Sequence, residues 1–294
     1  MRKALITSLA LAAVAALVVA VSASGRSTAP TAAAAIPGCA KDTLGLLETD
    51  TLTIGADNPA FPPWFGGDEK TKPWKVTDPY SGKGYESAVA YAIAKQLGFT
   101  KAQVKWTVVP FSNSYRPGKK PFDVYLTQVS YSPARAKAAD FSKSYYFVNQ
   151  SLVALKGTPI ASATSIAGLK NYRLGAQIGT TSADYIKNVI KPSSSRTYDT
   201  NDKAVQALKS KLIDGIVVDM PTAFYVTGVQ IPNSKVVGRL KTVGAPERFG
   251  VVLPKGSKLT SCVNKALDRL WLNGTIKQLQ KAWLPNTNAA PVLK

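Results

Sequence analysis

The sequence predicts an α/β fold in two lobes, and three observations predict it. Short, alternating apolar segments recur between stretches of helical spacing from residue 52 to residue 284. Two passages echo each other: FDVYLTQ at 122–128 and IDGIVVDM at 213–220 each end a helix-to-strand passage. Two apolar runs, 145–155 and 248–253, stand where a chain would leave a first lobe near 150 and return to it near 250. Those two runs would form a two-strand hinge.

The chain has 294 residues, 45% of them hydrophobic, enough for one sizeable core or two smaller ones. Arg2-Lys3 and the Ala/Val/Leu run that follows predict a secretory signal peptide over 1–23, with an uncleaved anchor as the alternative. Residues 24–38 are Ala, Ser, Thr and Pro rich and are expected to be a disordered tether. Export places the protein outside the cytoplasm. In that setting the two cysteines, Cys39 and Cys262, are most simply a disulfide, with a lipid on Cys39 as the other reading. The first lobe is then 39–150 with 250–285 and the second 151–249, and 286–294 is a tail expected to fray.

Net charge is +20 with no histidine, and losing Arg2 and Lys3 would leave +20 − 2 = +18. The lysines are scattered and no basic motif is interleaved with aromatics, so no nucleic-acid partner is expected. The charge serves either contact with an anionic cell envelope or simple solvation of the surface.

In chain order, 52–55 is a strand running into Asp57-Asn58-Pro59-Ala60-Phe61-Pro62-Pro63-Trp64. Three prolines stiffen this loop and hold Phe61 and Trp64 outward, for a ligand or as a cap on the core. Residues 66–83 read as a hairpin or surface loop. Asp78 and Glu86 flank a glycine turn, but the spacing of a calcium loop is absent, so no metal site is expected. A helix runs from Gly84 to Leu97 and stops at Gly98. Residues 104–109 alternate as a strand, and 111–120 form a loop in which the roles of Tyr115 and Arg116 stay open.

Phe122, Val124 and Leu126 make a strand that ends in a polar turn. Ser132 follows as an N-cap and Pro133 as the first helical residue. A strand ending at a helix start favours an anion, and Arg135 adds a planar fork for a carboxylate. A solvated first-turn arginine is the plain alternative. In the second unit, 172–178 is a strand, Gly179-Thr180-Thr181 is a capped turn into a helix to Ile190, and Asn201 caps the next helix. Residues 213–218 form a strand ending at Asp219, a pocket carboxylate or a helix cap. Residues 248–253 are the return strand, and 259–273 and 275–284 are helices in which Trp271 and Trp283 face the core.

QVSYSPARAKAADFSKSYY resembles the S-x-T-x-x-R and D-F-[ST]-x-P-Y pattern of the family 3 solute-binding proteins, which serve bacterial ABC importers for amino acids. Ser130, Ser132, Arg135, Asp140, Phe141, Ser142 and Tyr145 fall on it, whereas Ser132 and Ser144 replace the usual threonine and proline. Gly84-Tyr85-Glu86, Gly179-Thr180-Thr181 and Asp219 resemble further motifs of that family in family order, over roughly 52–284.

The resemblance implies a periplasmic-binding-protein-like fold of type II, with mixed sheets flanked by helices. It implies a monomer that captures an amino acid between its lobes and hands it to an ABC permease. Arg135 and the Ser130–Ala134 backbone would take the carboxylate, Asp219 the ammonium, Thr180 or Thr181 bonds from the second lobe, and Phe61 and Trp64 the side chain. Asp57, Glu86 and Gln128 would suit a cationic or amide side chain, Arg116 and Lys119 an acidic one. With no histidine, no free thiol and no evident carboxylate pair, neither an enzyme nor a cofactor is expected. Two alternatives are an enzyme on the same fold, such as a dehydratase of prephenate-like acids, and an envelope protein that senses its ligand.

Overall fold

The computed structural model describes residues 35–68, 71–287 and 290–294. The predicted signal segment and residues 24–34 of the tether lie outside the described residues. Two mixed sheets carry the fold. The first contains β1 (Leu52–Ala56), β2 (Val104–Val108), β3 (Val124–Tyr125), β4 (Ala139–Phe147) and, from late in the chain, β10 (Arg248–Pro254), in the order β2-β1-β3-β10-β4. The second contains β5 (Gln150–Leu155), β6 (Arg173–Gln177), β7 (Ser194–Tyr198), β8 (Gly215–Asp219), β9 (Ser234–Leu240) and β11 (Val292–Leu293), in the order β11-β9-β5-β8-β6-β7. β1, β2 and β3 run parallel, and β10 closes that set antiparallel against β3 and β4.

The first core lies between sheet one and the helices α1 (Tyr85–Gln96), α6 (Leu259–Leu272) and α7 (Thr275–Trp283). Val89, Ile93, Val263, Leu267 and Leu270 pack there against Ile54 and Phe249. Trp271 and Trp283 are partly buried against this cluster. Helices α3 (Thr181–Tyr185), α4 (Asn201–Lys209) and α5 (Met220–Tyr225) serve sheet two, and the four-residue α2 (Pro133–Ala136) follows β3.

Gly84 starts α1 with φ +88°, and a Cβ there would stand 2.5 Å from the Phe65 backbone. Gly82 also has a positive φ, +75°, but its nearest neighbour is 3.5 Å away. Gly84→Ala is therefore expected to lower stability by about 3 kcal/mol and Gly82→Ala by about 1 kcal/mol, measured by urea unfolding. Equal losses at the two positions would refute the crowding argument.

Several expectations are corrected. The 145–155 run is two strands, broken at Val148-Asn149, because β4 stays in sheet one while β5 joins sheet two. Of the two readings of residues 66–83, the surface loop holds: the described residues carry a 3-10 turn at Pro79–Ser81 and an isolated bridge from Ala60 to Val76. The cap of α4 is Thr200, whose Oγ1 accepts from the Lys203 N–H at 3.2 Å, so Asn201 is the first helical residue.

The end of the expected tether is held in place. Ile36 is buried, the Lys265 Nζ donates to the Pro37 carbonyl at 3.1 Å and Arg269 Nη2 to that of Ala35 at 3.2 Å. The expected frayed tail ends in a two-residue strand: Val292 and Leu293 pair with Arg239 and Leu240, and Leu293 is buried. Pairing satisfies backbone groups and removes Leu293 from water, which outweighs fraying. The hinge accordingly has a third passage, since the chain crosses from α7 on sheet one to β11 on sheet two. Cys39 and Cys262 form the expected disulfide, which joins the start of the described chain to α6.

Candidate functional site

A cavity of about 970 Å³, counted to its open mouth, lies where the two sheets' strand ends and loops face each other. Its lining comes from both sides. Asp57, Phe61, Trp64, Gln128 and Arg135 line it from the first lobe, and Thr180, Thr181 and Asp219 from the second.

Asp57 follows β1. Its Oδ1 accepts from the Asn58 N–H at 2.8 Å. Burial pushes its carboxyl pKa up, opposed by backbone N–H groups of Asn58 and Phe111. Phe61 lies 6.0 Å from the Tyr225 ring, and Trp64 donates its indole N–H to Thr222 Oγ1 at 2.8 Å across the cleft. The proline-rich loop thus sets a wall that meets α5.

Ser132 caps α2 as expected, accepting from the Arg135 N–H at 3.2 Å. The Arg135 guanidinium is buried. It donates to the Ser130 carbonyl at 2.5 Å and to the Gly179 carbonyl of the second lobe at 2.7 Å. It also lies over the Tyr115 ring at 4.5 Å, so it is no solvated first-turn residue. Tyr115, left open by the sequence, donates to the same Gly179 carbonyl at 3.0 Å. Two carbonyls take two of the five guanidinium N–H groups, which leaves donors for an anion.

Thr180 caps α3, accepting from the Ala183 N–H at 3.1 Å, and Thr181 donates to Glu247 Oε1 at 2.6 Å. Asp219 precedes α5 but makes no side-chain cap bond. Its Oδ1 accepts from Gln150 Nε2 at 2.8 Å. Burial, and then the charge of Glu247, push its carboxyl pKa well above the usual range, against the pull of Gln150 and Arg135.

Two expected ligand residues lie elsewhere. Glu86 is fully buried on α1 and outside the cavity lining. Its oxygens accept from the Gln128 N–H at 2.7 Å, the Gln128 side-chain amide and the Tyr145 hydroxyl at 2.5 Å. It fixes Gln128, a non-glycine residue at φ +44°, rather than facing a ligand. Ser130 is also buried and outside the lining, with its hydroxyl donating to Glu247 Oε1 at 2.5 Å. Arg116 and Lys119 lie outside the cavity as well.

Burial raises the Glu86 pKa to about 7. A raised carboxyl contributes stability below its unfolded value, near 4.5, and loses it as pH rises through the folded one. Between pH 5 and 8 the native protein should lose up to about 3 kcal/mol that Glu86→Gln does not lose. Melting curves across that range check this, and parallel pH profiles of the two proteins would refute it.

Sequence reasoning missed Gln150, Glu247, Gln177, Ser182, Asp202 and Tyr225. Gln177, Ser182, Asp202 and Tyr225 line the cavity; Gln150 and Glu247 lie outside the lining, behind Asp219, and Ser182 donates to Gln150 Oε1 at 2.5 Å. Asp202 and Ser182 lie in the first turns of helices that follow strands of sheet two, which was the available signal.

Known proteins resemble this chain in sequence and in fold. The chain is 28% identical over 240 residues to the L-cystine-binding protein TcyJ of Escherichia coli K12, covering 80% of this chain and 83% of the relative. It is 27% identical over 217 residues to the arginine-binding extracellular protein ArtP of Bacillus subtilis, covering 72% and 82%. An ancestral arginine-binding protein solved bound to arginine superposes with a TM-score of 0.64 at 28% identity, covering 80% of this chain and 99% of that one. Such neighbours are type II periplasmic binding proteins, and the two mixed sheets flanked by helices are that α/β architecture. The profile of the family described as bacterial extracellular solute-binding proteins, family 3, matches residues 64–286, and the chain belongs to that family.

Proposed function

We propose that the protein captures an amino acid with a cationic or amide side chain outside the cytoplasm and delivers it to an ABC importer. One observation carries this reading: Arg135 and Asp219 line one cavity from opposite lobes. An α-amino acid presents a carboxylate and an ammonium a few ångströms apart, matching a guanidinium and a buried carboxylate. Thr180 and Thr181 add hydroxyls from the second lobe, so ligand bonds would span the cleft and favour the closed form.

The side-chain class follows from charge. The remaining charged residues in the lining, Asp57 and Asp202, are acidic, with Gln128 and Gln177 beside them. Phe61, Trp64 and Tyr225 supply flat walls for a long stem or a guanidinium. Arginine and glutamine both fit this set, and relatives named for arginine and glutamine binding support it. The protein acts by binding and release as a monomer, and its basic surface meets the anionic envelope.

Thermal unfolding of residues 35–294 against each common amino acid tests the reading. A ligand at 100 times its Kd adds about 2.7 kcal/mol. The expected result is a shift with cationic or amide amino acids, none with acidic ones and no product released. No shift with any amino acid would overturn the reading.

A further inference from the structure

We propose that Glu247 is a specificity-determining residue for the ligand's ammonium group, forming with Asp219 a carboxylate pair around the side-chain amide of Gln150. This rests on reading the cleft as an amino-acid site. Gln150 opens β5 and stands opposite Asp219 in the β5–β8 ladder. Its Nε2 lies 2.8 Å from Asp219 Oδ1 and 3.2 and 3.1 Å from the two oxygens of Glu247. One N–H of the amide serves each carboxylate. Glu247 comes immediately before β10, at the chain's return to sheet one, so its contact with Gln150 at the start of β5 joins the two crossings of the hinge.

Glu247 also holds the two halves of the cleft in register. Its Oε1 accepts from Ser130 in the first lobe at 2.5 Å and from Thr181 in the second at 2.6 Å. Asp219 is further surrounded by the charges of Glu86 and Arg135, and Tyr145 and Tyr146 pack near it. Arg135 is the cation among these groups, and its two mapped bonds go to carbonyls rather than to either carboxylate. Two carboxylates about one neutral amide favour either a shared proton or an arriving cation. A protonated α-amine supplies that cation. A 2-hydroxy acid has the same carboxylate for Arg135 but leaves the pair uncompensated.

Glu247 therefore widens the preference for an amine over its hydroxy analogue. The test uses calorimetry on the native protein, Glu247→Gln and Ser130→Ala, with arginine, glutamine and their 2-hydroxy analogues from pH 4 to 8. The glutamine side chain keeps the shape and an acceptor oxygen while removing the charge. The amine-to-hydroxy affinity ratio is expected to fall at least about tenfold in Glu247→Gln. The acid-side loss of amine binding should also move to lower pH, because Asp219 loses a neighbouring charge. Ser130→Ala breaks one bond of Glu247 without changing charge, so it should weaken both ligands alike and leave the ratio intact.

A Glu247→Gln variant that melts normally with an unchanged ratio and pH profile overturns the proposal while the binding role stands. Should that variant not fold, carboxyl NMR titration of the Ser130→Ala and native proteins replaces it. An Asp219 carboxyl that titrates in the ordinary carboxylate range there would overturn the proposal. Native protein that binds neither amino acid removes the underlying reading and this inference together.

Discussion

Arg135→Ala is expected to weaken amino-acid binding at least about thirtyfold, or about 2 kcal/mol. Arg135 is the cation in the cavity lining and is buried. Removing it strands a ligand carboxylate without its charge-assisted donors. The same substitution loses the Arg135–Gly179 bond across the cleft and the stacking on Tyr115. Two effects therefore combine: a lost ligand contact and a weaker closed form. Arg135→Lys separates them, since it keeps a charge but no planar fork, and should fall between the two. Calorimetric titration measures both variants, with melting curves to confirm folding. Near-native affinity in Arg135→Ala would sink the carboxylate assignment.

Opening the disulfide is the second large change expected. Cys39 and Cys262 are 223 residues apart in sequence. In the chain-entropy model a loop that long is worth about 5 kcal/mol, an upper figure. Cys262→Ala, or reduction of the native protein, should then lower Tm by about 10 °C. The bond ties the first described residues to α6, beside the Lys265 and Arg269 contacts to the carbonyls of Pro37 and Ala35. Those contacts and buried Ile36 remain after reduction. An unchanged Tm would mean that they hold the segment without the covalent link.

How legible the molecule was depended on how local each cause is. The caps at Ser132 and Thr180, the stop of α1 before Gly98 and the ends of α6 and α7 follow from neighbouring residues, and the sequence displays them. Arg135, Asp219, Thr180 and Thr181 stand at strand-to-helix passages, so their place at the cleft could be read the same way. Glu86 has the right chemistry for a ligand contact. Yet α1 turns it inward, and nothing near it in sequence tells that Gln128 and Tyr145 will bond to it. Gln150 and Glu247 escaped because their meaning is a meeting of residues 97 positions apart. The polar SSRTY stretch gave no apolar alternation, and it became β7 because β6 offers its edge. β11 needed a partner supplied only by the folded second sheet.

That last strand changes how wide the molecule can gape. The chain leaves α7 and finishes beyond the cleft, with the Ile166 N–H donating to the Lys294 carbonyl at 2.7 Å and the Arg239 N–H to that of Pro291 at 2.7 Å. The described carboxyl end is therefore tied to the second sheet. A third link between the lobes, besides the two crossing strands, would oppose rotations that pull this end from its partner. If the lobes swing, this link would favour rotations that keep β11 paired with β9. A purification tag at the carboxyl terminus would hang from this paired end, whereas one ahead of residue 35 would leave it undisturbed.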